Sequence, residues 1–175
     1  MVYKVLFILL LSISSMFGTI KFDELKSFRA NFVQTVANES GKTIEYKGKV
    51  FIKNNRKVLW KYETPIIKNV YVLENIAIVD EPELEQAIYT TLENSIDMIK
   101  LLKNAKKIEE NKYQTKLYNI DYIISIKNDK INSLSYTDEL ANKIVISFLD
   151  AEQNIEIEDD LFNFLAPDFY DIIKK

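Results

Sequence analysis

The chain has 175 residues and a formal net charge of −3, so its length suits one domain with its own core and its charge does not favour nucleic acid as a partner. It contains no cysteine and no histidine, which excludes a disulfide scaffold, a thiol nucleophile and the commonest acid–base group of enzymes. With only three glycines, it can build neither a dinucleotide fingerprint nor a P-loop. We therefore expect a binding protein without catalytic residues or a cofactor, whose tight turns rely on Asn and Asp.

Residues 1–18 have the features of a secretory signal peptide. Lys4 supplies a positive start, and the apolar run at 5–13 is shorter than the roughly 20 residues that a membrane span needs. The triplet 12–14, Ser-Ile-Ser, fits a small-x-small cleavage site, and an uncleaved anchor helix is the alternative. Export predicts a periplasmic protein if the source is a Gram-negative bacterium, with residues 19–175 as a single domain.

The first half of the mature chain reads as a short helix followed by strands. The helix spans 22–27 and turns Phe22 and Leu25 inward. Alternating apolar and polar residues then predict antiparallel strands. Their ranges are 28–36, 44–53, 57–63, 66–73, 76–79 and 86–91. Glu74 and Asn75 occupy a hairpin turn, in which we expect Asn75 to take the positive φ.

An amphipathic helix interrupts this β pattern. Asn94 or Ser95 is the expected N-cap, and the helix is predicted to run to Asn104. One broad face carries the apolar side chains, and charged residues occupy the other. The apolar residues are Met98, Ile99, Leu101, Leu102 and Ala105.

The second half returns to strands. The strongest two-residue alternation runs from Tyr118 to Ile126, after a strand at 112–118. Further strands are predicted at 131–136, 143–149, 155–157 and 162–164, with a last helix at 168–173 behind Pro167. About ten strands at such regular spacing predict a mainly β protein with a single, highly curved antiparallel sheet.

One face of this sheet is expected to be apolar. The alternation places on it a set of large side chains, joined by Phe22 of the first helix. They are Phe32, Val50, Ile52, Val58, Trp60, Tyr62, Tyr122 and Ile124. From periodicity alone, a plain core is the favoured interpretation; a hollow covered by the helix at 95–104 is the alternative. The acidic cluster at 156–160 lacks the spacing of a calcium loop, so we expect a solvated strand end and no metal site.

An ordered set of motifs between about residues 22 and 167 resembles the LolA family of periplasmic carriers of outer-membrane lipoproteins. The motifs are Phe28-x-Ala30-x-Phe32-x-Gln34, Gly48-x-Val50-Phe51-Ile52-Lys53, Trp60-x-Tyr62-x-x-Pro65, Glu85-Gln86-Ala87 and Phe162-Asn163-Phe164-Leu165-Ala166-Pro167. The resemblance implies an unclosed β-barrel whose hollow holds acyl chains beneath a helical lid. The hollow would then be functional, with Met98, Ile99, Leu101 and Leu102 as the lid residues.

The resemblance also implies partners. They are acylated lipoproteins, an inner-membrane lipoprotein-releasing ABC transporter, and an outer-membrane acceptor or the outer membrane itself, with the carrier as a monomer. A binding or sensing module for another lipid or hydrophobic ligand on the same fold is the alternative. Charge is uneven, with a basic segment at 42–68 and an acidic one at 150–171. These segments are either solvated strand edges or docking patches for a donor and an acceptor.

One departure from the family concerns the latch of the lid. The family has Lys-Arg-Pro after the second strand, and its Arg ties the lid to the sheet. Here Lys53 is followed by Asn54 and Asn55. The resemblance therefore leaves Asn54, Arg56 and Arg29 as latch candidates, and the first helix is short for the family.

Overall fold

A computed structural model describes residues 22–92, 98–117 and 119–175. Within these residues the chain forms twelve strands, one α-helix and three short 3-10 helices. The strands are β1 Ser27–Ala37, β2 Thr43–Lys53, β3 Lys57–Thr64, β4 Lys68–Leu73, β5 Ile76–Glu81, β6 Gln86–Thr91, β7 Lys106–Glu109, β8 Lys112–Leu117, β9 Ile120–Lys127, β10 Lys130–Thr137, β11 Lys143–Gln153 and β12 Asp171–Lys174. The helices are α1 Met98–Lys103 and the 3-10 turns Phe22–Glu24, Pro82–Leu84 and Asp159–Phe162.

All twelve strands belong to one sheet, in the order β12-β6-β5-β4-β3-β2-β1-β11-β10-β9-β8-β7. Every neighbouring pair is antiparallel except β12 and β6, which run parallel. The sheet is not closed, and its edges are β12 and β7. The prediction of a mainly β protein built on a single unclosed sheet is confirmed.

Asn and Asp hold six of the ten positive-φ positions among the described non-glycine residues, as predicted for the turns, and Arg56, Glu74, Glu85 and Ala141 hold the others. Both residues of the β9–β10 turn, Asn128 and Asp129, have positive φ, which is the pattern of a type I′ hairpin. Asn111 and Asn154 adopt the same left-handed region. The β4–β5 turn differs from the prediction, because Glu74 takes the positive φ of 48°. Positive φ at the first central residue alone is the pattern of a type II′ turn.

The C-terminal predictions were wrong. Residues 155–157 and 162–164 are not strands, and the helix predicted at 168–173 is replaced by β12. Ile157 and Phe162 are buried against the back of the sheet without joining its ladder. Apolar alternation there reflects burial rather than strand pairing. Strand β7 was missed because all four of its residues are exposed, so no alternation marks it.

Each face of the sheet carries an apolar cluster. The inner face carries Phe28, Phe32, Val50 and Ile124 in a large apolar cluster. The outer face carries a smaller cluster, in which the C-terminal segment covers the strands. That cluster consists of Leu59, Tyr71, Ile78, Ile157 and Phe162.

Helix α1 packs on the inner face, where Ile99 and Leu102 are buried in the same cluster as Phe22 and Leu25. The inward orientation predicted for Phe22 and Leu25 is therefore confirmed. The first turns predicted for this helix, including Asn94 and Ser95, lie outside the described residues, as does the signal peptide predicted at 1–18. Among the residues that the structure describes, no helix has the length and apolar character to cross a membrane.

Candidate binding pocket

An apolar pocket of about 320 Å³ lies on the inner face, between the strands and α1. Its walls come from both halves of the sheet, with Trp60 of β3 on one side and Ile124 of β9 on the other. Leu101 and Leu102 contribute the α1 side. The volume is at the lower end of the roughly 300–1,000 Å³ that is usual for ligand pockets.

Some of the side chains predicted to face a hollow line this pocket. They are Ile52, Trp60, Tyr62, Tyr122 and Ile124, together with Leu101 and Leu102 of α1. Phe22, Phe32, Val50 and Val58 are absent from the lining and are buried in the surrounding core. Ile99 is likewise a core residue, only 2% exposed. The side chain of Met98 lies outside the described part of the chain.

Sequence reasoning missed the wall that β10 and β11 provide. Leu134 and Tyr136 of β10 line the pocket, as do Ile146 and Phe148 of β11. Their strands were predicted, and the alternation of apolar residues in β11 was visible in the sequence. The pairing of β11 with β1 decides which face of β11 points into the pocket, because it brings Phe148 opposite Phe32.

A glycine fixes how β3 approaches β2 beside the pocket. The ladder between these strands has a β-bulge at Lys47 and Gly48. A Cβ at Gly48 would lie 1.9 Å from the backbone oxygen of Lys61, so only glycine fits without a backbone shift. The close approach places the ring of Phe32 edge-on to both Trp60 and Tyr62, at centroid distances of 5.1 Å. Phe32 thus supports the two aromatic wall residues from within the core.

Polar side chains gather at one part of the lining. The Tyr62 hydroxyl donates a hydrogen bond to Oε1 of Gln34 at 2.9 Å, and burial raises the pKa of Tyr62 to about 12. The rings of Tyr122 and Tyr136 pack together at 4.8 Å. Burial also raises the pKa of each of these two phenols. All three hydroxyls are therefore neutral hydrogen-bond donors at physiological pH.

Asp159 of the acidic cluster pairs with two lysines. Asp159 accepts a hydrogen bond from Nζ of Lys53 at 2.7 Å, and Lys57 lies 3.4 Å away. The Lys53 hydrogen bond lowers the pKa of Asp159. Over the part of the chain that the structure covers, no group of His, Cys, Asp or Glu side chains is arranged to hold a metal ion.

The family model described as "Outer membrane lipoprotein carrier protein LolA" matches residues 23–122. The chain belongs to the LolA family. It is 36% identical over 155 residues to the outer-membrane lipoprotein carrier protein of Wolinella succinogenes, covering 88% of this chain and 90% of that protein. It is 33% identical over 148 residues to the carrier of the same name from Campylobacter jejuni, covering 85% and 86%. LolA proteins are carriers and not enzymes.

Solved structures give the same fold at low sequence identity. The crystal structure of an uncharacterized conserved protein from Thermus thermophilus superposes with a TM-score of 0.53 at 9% identity. The match covers 89% of this chain and 94% of the other. At this identity the likeness concerns the fold alone.

The three latch candidates that LolA resemblance suggested have other contacts. Arg29 forms an ion pair with Glu152 on the outer face, across the sheet from α1. The backbone N–H of Asn54 donates to the carbonyl of Lys26 at 2.9 Å. Arg56 sits in the β2–β3 turn with a φ of 64°. Within the described residues, no hydrogen bond or ion pair joins the side chain of any of the three to α1.

Lys53, which this chain shares with the LolA motif, faces the outer side. Its Nζ donates to the carbonyl of Ile157 at 2.8 Å as well as to Asp159. Ser27, at the start of β1, donates to the carbonyl of Ile155 at 2.6 Å. These bonds fasten the C-terminal segment to the back of the sheet. Lys53 therefore stabilises the sheet on the side opposite the pocket.

Proposed function

We propose that the inner-face pocket shields the acyl chains of lipoproteins while this protein carries them through the periplasm. The observation that carries the proposal is an apolar pocket, walled by Trp60, Ile124 and Leu101, in a chain of the LolA family. Each CH₂ group removed from water contributes about 0.8 kcal/mol, so exposed acyl chains need such a shield in an aqueous compartment. Binding and release require no covalent step.

Helix α1 acts as the lid in this proposal. Its described part, Met98–Lys103, contributes Leu101 and Leu102 to the pocket wall. A pocket of about 320 Å³ is small for a multiply acylated anchor, so loading requires it to widen. Helix α1 is the part of the wall that moves in this proposal because it lies on the sheet without joining its ladder, and the movement takes the buried side chains of Ile99 and Leu102 out of the core.

The route of the cargo follows from the same proposal. Residues 1–18 direct export, and residues 19–175 form the carrier domain. The carrier receives its cargo from an inner-membrane ABC transporter of the lipoprotein-releasing type. It delivers the cargo, as a monomer, to an outer-membrane acceptor or to the membrane itself.

The test is a binding titration read by Trp60, the only tryptophan of the sequence. A synthetic peptide with an acylated N-terminal cysteine should change the Trp60 emission in a saturable way, and the same peptide without acyl chains should not. Identical responses to the two peptides would contradict acyl-chain binding. Saturable binding of a phospholipid or fatty acid, without binding of the lipopeptide, would instead favour a module for another lipid.

A further inference from the structure

The pocket has two chemically different ends. Phe28 and Ile52, paired across β1 and β2, are at most 4% exposed and form a buried apolar end. Six residues further along β1, Gln34 accepts the hydrogen bond of Tyr62. Tyr62, Tyr122 and Tyr136 are all half-buried. The three phenols lie close together: Tyr136 contributes to the raised pKa of Tyr62, and Tyr122 contributes to the raised pKa of Tyr136. We call Gln34 and these three residues the tyrosine end.

The strand register explains why these residues converge. Gln34 of β1 pairs with Ile146 of β11, and Ile146 pairs in turn with Leu134 of β10. The next position on the same face of β10 is Tyr136, whose ring packs on Tyr122 of the neighbouring β9. The tyrosines of β9 and β10 thus reach the same end of the inner face as Gln34.

Hydrogen-bonding capacity remains at this end. Only Tyr62 has a side-chain partner, Gln34, and among the described residues no hydrogen bond involves the hydroxyl of Tyr122 or Tyr136. The described lining contains neither lysine nor arginine. Lys68 is nearby, but its Nζ lies over the ring of Tyr62 at 4.6 Å. Neutral donors without a lining cation suit an uncharged acceptor, such as an ester carbonyl, better than a carboxylate or a phosphate.

We propose that the hydroxyls of Tyr122 and Tyr136 bind the ester carbonyls of the diacylglyceryl group at the N-terminus of the cargo lipoprotein. This inference rests on the proposed carrier function and adds an orientation to it. The acyl tails extend towards Phe28 and Ile52, and the glyceryl group stays at the half-exposed tyrosine end. The peptide that follows the lipid then leaves the pocket beside the tyrosines.

The test compares two lipopeptides that differ only in the carbonyl groups. One carries two palmitoyl chains as esters of S-glyceryl cysteine, and the other carries two hexadecyl chains as ethers. With Trp60 emission as the readout, the wild type should bind the ester about tenfold more tightly, the effect of two ordinary hydrogen bonds. The double variant Tyr122→Phe, Tyr136→Phe should bind both ligands with the affinity that the wild type has for the ether.

The control is Tyr89→Phe, which removes a hydroxyl beside Phe164 on the outer face. It should keep the tenfold preference, and thermal unfolding should show that all variants are folded. Equal affinity of the wild type for ester and ether would overturn the inference while leaving the carrier function intact. Failure to bind either lipopeptide would instead refute the carrier function. An ester and ether pair of phosphatidylglycerol completes the test: a preference seen only in that pair would overturn the assignment to lipoproteins.

Discussion

The two faces of the sheet are built from the same strands but have different roles. Val58 and Leu59 are consecutive residues of β3, and each is 1% exposed. Val58 faces the inner cluster, next to the pocket, whereas Leu59 faces the outer cluster beneath the C-terminal segment. The C-terminal segment covers this part of the outer face and is held there by the hydrogen bonds of Lys53 and Ser27.

The difference shows how this fold separates stability from binding. Here the outer cluster adds buried apolar area, and the inner face retains an apolar pocket of about 320 Å³. Substitutions on the outer face should therefore change stability, and substitutions in the pocket wall should change binding.

The largest effect is expected from Phe162→Ala on the outer face. Phe162 is 1% exposed, and removing a buried phenyl ring costs about 3–5 kcal/mol of unfolding free energy. Urea unfolding measures the loss, while the affinity for the lipopeptide should be nearly unchanged under conditions where the variant is folded. The control is Phe169→Ala, whose ring is 66% exposed and should contribute little. An equal loss in both variants would contradict the expected stabilisation by the buried Phe162 ring.

The next test separates two neighbouring residues of α1. Leu102 is 8% exposed, so Leu102→Asp places a carboxylate in the core and should cost several kcal/mol of stability, of order 2–5. Leu101 is half-buried in the pocket wall, so Leu101→Asp should weaken lipopeptide binding about tenfold or more with a smaller loss of stability. Normal binding by a folded Leu101→Asp variant would remove α1 from the proposed binding site.

A smaller effect concerns the tyrosine end at alkaline pH. The pKa of Tyr62 is raised to about 12, above the ordinary value of 10.0, because the folded protein buries the neutral phenol. Its contribution to stability is complete below pH 10 and is lost as pH rises through about 12. Urea unfolding between pH 9 and pH 12 should show a shallower decline for Tyr62→Phe than for the wild type. Parallel declines would mean that Tyr62 titrates as an exposed phenol.

The smallest effect is expected at the exposed ion pair of the outer face. The pKa of Asp159 is lowered from 3.8, chiefly by its hydrogen bond from Lys53. This contribution is present above pH 3.8 and is lost as pH falls through the lowered pKa. Asp159→Asn should be slightly less stable than the wild type at pH 6, and the difference should vanish in acid. A difference that persists at pH 2 would point to a contact other than the charge pair.

The sequence predicted the sheet better than it predicted the pocket. Alternation located β2 and β3 to within a residue or two, and β6 with the same bounds that the structure has. The same alternation cannot distinguish a residue of the solid core from one that lines the pocket, because both lie on the same apolar face of the sheet. Phe32 and Val50 were therefore grouped with Trp60, although the structure buries the first two and places only Trp60 in the lining.

Two other differences have physical reasons. The wall formed by Leu134 and Ile146 follows from the pairing of distant strands, which a local pattern does not contain. The C-terminal segment has the apolar alternation of a strand because Ile157 and Phe162 are buried. The free edge of β6 pairs with β12 instead of with this segment. Local periodicity predicts which side chains are buried, and the partner of a strand depends on the remainder of the sheet.

The sheet tapers from long central strands to short edge strands. Strands β1, β2 and β11 at its centre have eleven residues each, and the two edge strands β7 and β12 have four each. An open sheet offers unpaired backbone groups to other molecules, and long edges of this kind seed fibres. Edges of four residues, with Lys106 and Lys107 on one and Lys174 on the other, give an incoming strand few bonds and an unfavourable charge. We therefore expect short, lysine-bearing edges to disfavour end-to-end pairing between copies of this chain.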